Sequence, residues 1–228
     1  RLDKVIADLE DRGFDVIQGQ CLRNNDNFVS ADKFSRANEL MHFLLDDSID
    51  AIVPPWGGEM AMELLPLLDY MQIKAAKPKW ILGYSDVSTL TTAITTLCGW
   101  ATAHTANLME LISSQPDELT ANTFEYLSTA PGMHFCQGSS ARYQKTYVDF
   151  KKHPESVFNL TENTEWKPLN FDHFKTRFSG RLIGGCLDTL VHLFSTSYLN
   201  LEAFKNQFQD SGVILYLENA QMTPTELQ

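Results

Sequence analysis

The sequence predicts an α/β fold: a parallel sheet with helices on both faces that carries a nucleophile turn, followed by the start of a second lobe. Three observations predict it. Short apolar runs with strand character alternate with segments of helical periodicity through the first half. Two of those runs break into glycine-bearing turns, Pro54-Pro55-Trp56-Gly57-Gly58 and Gly83-Tyr84-Ser85. After a polar, aromatic stretch, the glycine-rich run Arg181–Leu190 and the apolar strand Val213–Asn219 resume the pattern.

Leu2, Val5, Ile6 and Leu9 recur at helical spacing up to Gly13, a natural stop, and Phe14–Ile17 then reads as a short strand. From Arg36 to Asp47 one helical face carries Ala37, Leu40, Met41, Leu44 and Leu45, and Asp50–Pro54 reads as a buried strand. Met60–Leu68 is helical in pattern, Trp80–Tyr84 is a strand and Val87–Leu97 a helix. A β-then-α rhythm gives parallel strands, and ligands bind beyond their carboxyl ends, so the two turns belong on one rim. Residues 138–179, with Tyr143, Tyr147, Phe150, His153, Phe158, Trp166, Phe171, His173 and Phe174 irregularly spaced, read as a connector. The expected division is 1–137 for the nucleophile domain, 138–179 for the connector and 180–228 for the start of a C-terminal domain. The chain opens inside a helix pattern and stops at the entry to another, which suggests a fragment of a longer protein that lacks its first strand.

The 228 residues carry 29 acidic against 18 basic side chains, a net charge of −11, which argues against nucleic acid or an anionic membrane as partner. A neutral or cationic small molecule fits better, and a homodimer is compatible with the sequence. No uninterrupted apolar run is long enough to span a bilayer. The four cysteines, Cys21, Cys98, Cys136 and Cys186, are scattered without a C-x-x-C pair, so neither a zinc cluster nor a disulfide framework is expected, and the cytoplasm is the expected compartment. The six histidines fall in no metal-ligand spacing, so no metal and no cofactor is expected.

Chemistry concentrates in Trp80-Ile81-Leu82-Gly83-Tyr84-Ser85-Asp86. A strand that feeds a helix through a sharp turn lifts one side chain clear of the sheet edge, above free N–H groups and the positive end of the helix dipole. Ser85 is therefore a nucleophile or, alternatively, part of an ordinary helix cap with Asp86. Gly57-Gly58 can bring a backbone N–H close to a reacting carbonyl, forming an oxyanion hole with the N–H of Asp86, or can be a plain tight turn. Glu218, at the end of an apolar strand, can orient a histidine, or can be a rim carboxylate. Of the histidines, His42 and His192 lie in helical apolar patterns and read as packing residues, while His104 follows the Ser85 helix and can reach the same rim.

Together, Pro55-Trp56-Gly57-Gly58-Glu59, Leu64-Leu65-Pro66-Leu67-Leu68-Asp69-Tyr70, Pro78–Asp86, Gly180–Leu187 and Leu215-Tyr216-Leu217-Glu218 resemble the LD-carboxypeptidase family of serine peptidases, and within it the microcin C self-immunity branch. The resemblance implies an α/β nucleophile domain with a β-rich C-terminal domain and a Ser–Glu–His triad. It implies Ser85 as nucleophile, Glu218 as triad acid, the amides of Gly58 and Asp86 as oxyanion hole, and a histidine beyond residue 228 as base. Glu59 and Cys186 depart from residues frequent in relatives, Glu59 where many carry Tyr, Phe or Asn and Cys186 where many carry Asn. The substrates implied are a murein peptide ending in a D-amino acid, which needs a cationic anchor such as Arg181, or a peptidyl or aminoacyl nucleotide, for which Trp166 would stack on the base. Gly57 and Glu59 complete the expected substrate contacts. The rival is a non-catalytic module that binds a small ligand on the same sheet.

Overall fold

The computed structural model describes residues 1–25, 28–112, 117–149, 152–153, 158–169 and 177–228. Phe150, Phe171, His173 and Phe174 of the expected connector lie outside them. In chain order the elements are α1 (Leu2–Asp11), α2 (Lys33–Leu45), β1 (Ala51–Ile52), a 3-10 segment (Ala61–Leu67), α3 (Tyr70–Ala75), β2 (Trp80–Gly83), α4 (Val87–Cys98), β3 (Ala103–His104), a second 3-10 turn (Leu108–Glu110), α5 (Glu118–Ala121), α6 (Thr123–Leu127), β4 (Arg142–Tyr143), β5 (Glu162–Asn163), β6 (Arg181–Cys186), α7 (Leu187–Leu190), α8 (Leu201–Gln207) and β7 (Val213–Glu218).

The chain divides into two compact units, Arg1–Val16 with Leu108–Thr176, and Ile17–Asn107 with Arg177–Gln228. In the first, α1 buries Val5, Ile6 and Leu9, the stripe read from the sequence. Gly13 ends it as expected, at φ +88°. The Phe14 N–H returns to the Leu9 carbonyl and the Gly13 N–H to that of Glu10, the two bonds of a Schellman closure. That closure is why Phe14–Ile17 is not a strand: Phe14 completes the helix end, and its ring packs 4.7 Å from that of Phe124. The Arg1 guanidinium donates to the Met109 carbonyl at 2.9 Å, and β4 pairs antiparallel with β5.

The second unit holds the parallel strands. β1, β2 and β3 form one sheet in that order, with Ala51 opposite Trp80 and Gly83 opposite His104. β6 and β7 form a second parallel pair, in register from Arg181–Val213 to Cys186–Glu218. The 180–228 segment, expected to begin a lobe of its own, is grouped here with the Ser85 turn. The reason is helix α4, which packs against both β2 and β6. It is buried on nearly every side, including Ser88, Thr89, Thr91 and Thr92. The hydroxyls survive burial by bonding backward: Thr92 Oγ1 donates to the Ser88 carbonyl at 2.6 Å and Thr96 Oγ1 to that of Thr92 at 2.9 Å.

Around α4 the core gathers Leu44 from α2, Leu65 from the 3-10 segment, Ile73 from α3, Ile81 from β2 and Leu190 from α7. Each such side chain contributes about 1.5–3 kcal/mol by leaving water. Helix α2 begins earlier than its periodicity indicates because the Asp32 carboxylate accepts the N–H groups of Phe34 and Ser35 at 2.9 and 3.1 Å. The helix expected over Met60–Leu68 forms as a tighter 3-10 segment, with Pro66 inside it, where a missing N–H and a bulky ring oppose an α-helix. Among the described residues no helix is long and apolar enough to cross a membrane.

Candidate active site

Strand β2 delivers the chain to Ser85, whose φ of +62° lies in the left-handed region. For a residue with a Cβ this costs on the order of 1–3 kcal/mol and persists where the surroundings over-determine it. The strain belongs to the sharp strand-to-helix turn, which directs Ser85 away from the helix it precedes. Asp86 follows, but its side chain does not cap α4. The buried carboxylate reaches across to accept the Ala61 N–H at 2.8 Å and the Thr89 hydroxyl at 3.4 Å. Burial pushes the Asp86 pKa up, while these donors oppose that rise. Asp86 thus ties the segment after Gly57-Gly58 to the Ser85 turn, a role for which the sequence carried no signal beyond a buried acid.

Gly57 is pressed against the Ser85 turn. A Cβ there would meet Ser85 Cβ at 2.9 Å, Ser85 Oγ at 3.0 Å and the Asp86 nitrogen at 3.2 Å. The sequence-based pairing of the two glycine turns is realised as direct contact. Gly57→Ala is expected to lower turnover at least ~10-fold, because a displacement of the turn misplaces the reacting hydroxyl, and to destabilise by about 1–3 kcal/mol through overpacking. Steady-state kinetics and a urea midpoint measure the two effects; unchanged turnover would show that the glycine turn does not shape the site.

Glu218 occupies the last rung of the β6–β7 pair. Its Oε1 accepts the Ser85 N–H at 3.4 Å and lies 3.5 Å from His104 Nε2. His104 is held opposite Gly83 by the β2–β3 register, with its ring 5.2 Å from that of Tyr216. Burial lowers the His104 pKa, and Glu218 opposes that shift in part. Its Nδ1 is buried and makes no hydrogen bond. The imidazole therefore meets the acid but is not bonded to the Ser85 hydroxyl.

A cavity of about 310 Å³ opens on Ser85 and is lined by Gly58, Glu59, Met62, Asp86, Cys186, Asp188, Thr189, His192, Ala220 and Gln221. The expected residues Ser85, Asp86, Gly58 and Glu59 are thus brought together, and Cys186 lines the same cavity. His192, read as a packing residue, is exposed and faces this cavity, because α7 ends at Leu190 and the chain continues as irregular turns. Asp188 and Gln221 were not singled out in the sequence. Arg181, expected near the site as an anion anchor, sits at the opposite end of β6 from Cys186, over the Phe208 ring at 5.0 Å, and does not line the cavity. Six residues of extended chain place it about 17 Å away. Trp166 lies in the other unit, 82% exposed, where it borders a second cavity of about 530 Å³ with Leu119, Gln137, Gly138, Ser139, Ser140 and Thr164. Burial pushes the Cys186 thiol up to about 11, so it is protonated at neutral pH and not a competing nucleophile. Among the described residues no cluster of metal-ligating side chains is present.

The profile of the LD-carboxypeptidase N-terminal domain matches residues 1–105. The microcin C7 self-immunity protein MccF of Escherichia coli is 28% identical over 199 residues, covering 84% of this chain and 55% of that protein. A Bacillus subtilis protein named "Probable murein peptide carboxypeptidase" is 24% identical over 228 residues, covering 100% of this chain and 60% of its own. The chain thus spans little more than half the length of these relatives. Among solved structures, MccF in complex with glutamyl sulfamoyl guanosine superposes with a TM-score of 0.74 at 22% identity, covering 98% of this chain and 64% of that one. At that identity the superposition establishes the shared mixed α/β fold with parallel strands.

Proposed function

We propose that this chain, whose residues 1–105 match the LD-carboxypeptidase N-terminal domain, is part of a serine hydrolase that cleaves an amide bond through an acyl-enzyme. The observation that carries the proposal is the Ser85 turn itself: a serine at φ +62°, with Glu218 Oε1 3.4 Å from its amide and Gly57 in contact with its side chain.

In the proposed reaction Ser85 Oγ attacks the carbonyl carbon and gives its proton to an imidazole. The N–H groups of Gly58 and Asp86 hold the oxyanion, and the imidazole then protonates the leaving amine. Water releases the acyl group by the reverse proton route. Glu218 keeps the imidazole in the tautomer and orientation that accept the serine proton. His104, whose Nε2 faces Glu218 and whose Nδ1 makes no hydrogen bond, is not the proposed base. The base is proposed to be a histidine beyond residue 228, as the resemblance implies.

Two substrate classes are proposed from the family resemblance, in line with relatives named for a murein peptide and for microcin C7: murein peptides ending in a D-amino acid, and aminoacyl or peptidyl nucleotides of the microcin C kind. Neither needs a cofactor. Arg181 does not line the Ser85 cavity, and Trp166 is exposed in its own unit, with a face on which a base can stack. Incubating the full-length protein with each class and following products by mass spectrometry tests the proposal, with hydrolysis of at least one expected. Trp166→Ala should weaken the nucleotide reaction by roughly tenfold, in line with about 1–3 kcal/mol for base stacking, and leave a murein peptide reaction unchanged. Both substrates bound but intact would favour the ligand-binding module.

A further inference from the structure

Resting on the reading of Glu218 as the triad acid, we infer that Asp188 is a positioning residue that clamps the turn after Glu218 and so fixes that carboxylate against Ser85. Glu218 is the last residue of β7 and pairs through the last rung of a two-stranded sheet. Such an end frays, because beyond it no ladder bond restrains the backbone. In this protein one side chain binds three successive amides there. Asp188 Oδ2 accepts the Ala220 N–H at 2.9 Å, and Oδ1 accepts those of Gln221 at 2.8 Å and Met222 at 3.1 Å. Asn219 closes the same turn, accepting the Met222 N–H at 3.1 Å and donating to its carbonyl at 3.0 Å.

Only an ionised carboxylate presents acceptors alone on both oxygens, which three converging amides require. Asp188 is itself fixed. It stands in the first turn of α7, directly after β6, and Cys186 Sγ donates to its Oδ2 at 3.4 Å. The Cys186 N–H donates in turn to Ser88 Oγ at 3.0 Å, on the first turn of the helix that Ser85 precedes. An unbroken series of bonds therefore leads from the nucleophile's helix through Cys186 and Asp188 to the turn that ends the Glu218 strand. The same turn supplies Ala220 and Gln221 to the cavity wall.

Amide hydrogen exchange and kinetics on the full-length protein test the inference together. Asp188→Ala should speed exchange at Ala220, Gln221 and Met222 by about ten- to a hundredfold, the range of a hydrogen bond to a charged group, while amides within β7 keep their protection. Asp188→Asn, which puts an NH₂ donor against one of the amides, should give an intermediate effect and stands in should the alanine variant not fold. Turnover should fall roughly 10²-fold in Asp188→Ala, the cost of a misplacement of about 1 Å, with KM changed less than kcat. Equal exchange at 220–222 in wild type and both variants overturns the clamp. Faster exchange with undiminished kcat overturns its role in positioning Glu218. A wild-type protein that hydrolyses neither substrate class defeats the hydrolase reading instead, and the exchange result still decides the clamp.

Discussion

Replacing Ser85 with Ala is expected to cost at least ~10³-fold in kcat in the full-length protein while leaving the fold and substrate binding in place. The magnitude follows from the loss of the one atom that forms the acyl bond; oxyanion donors and binding alone leave a small residue of catalysis over water. The fold should survive because the change deletes only a hydroxyl that borders the cavity, and the strained φ of +62° is imposed by the strand and helix on either side. Mass spectrometry adds a direct check. Wild type trapped with a slow substrate should carry an acyl adduct on the peptide containing Ser85, and Ser85→Ala should carry none. A loss under tenfold, or an adduct elsewhere, would reject the assignment.

The second large effect is expected at Glu218. Glu218→Gln should lower kcat by roughly 10²- to 10⁴-fold, up to the loss seen when a triad acid becomes its amide and the imidazole adopts the wrong tautomer. Substrate Kd should change little, since an orienting acid acts on the base and not on the ligand. The structure adds a reason to expect a large loss. Oε1 of Glu218 already lies 3.4 Å from the Ser85 nitrogen and 3.5 Å from His104 Nε2, which leaves Oε2 to orient the incoming base. An amide can meet those two donors with its oxygen, but then presents NH₂ where the base needs an acceptor. Loss of binding with turnover per bound substrate intact would instead make Glu218 a ligand contact. Gly57→Ala tests the same site without touching an ionisable group, so agreement between the two would not be a shared artefact of charge.

Much of this was legible in the residues. Period-3.6 patterns located α1, α2 and α4, and short apolar runs located β2 and β7, because burial of a helix face or of a strand leaves its mark on the order of apolar residues. The G-Y-S-D turn and the Gly57-Gly58 turn were legible as turns that follow strands, though each piece alone also fitted an ordinary cap or a plain tight turn. Failures came where a local signal had a second use. Phe14 carries a strand-like pattern but serves a helix closure, Asp86 has the side chain of a cap but bonds Ala61, and Pro66 tightens a helical pattern into a 3-10 segment.

What the sequence determined by itself is the alternation of elements and the parallel strands that follow from it, both of which depend on neighbours within a few residues, and it singled out Ser85 as the candidate nucleophile. What only the tertiary structure decided is distance between residues far apart in the chain. Ser85 and Glu218 are separated by 133 positions and meet at 3.4 Å. Arg181 and Cys186 share a strand, yet only Cys186 lines the cavity, because an extended chain carries its ends far apart. The carboxylate of Asp188 finds its three amides 32 to 34 residues away. Such contacts arise from how α4 packs β2 and β6 on its sides, and packing of whole elements is a property of summed surfaces that no short stretch of residues encodes.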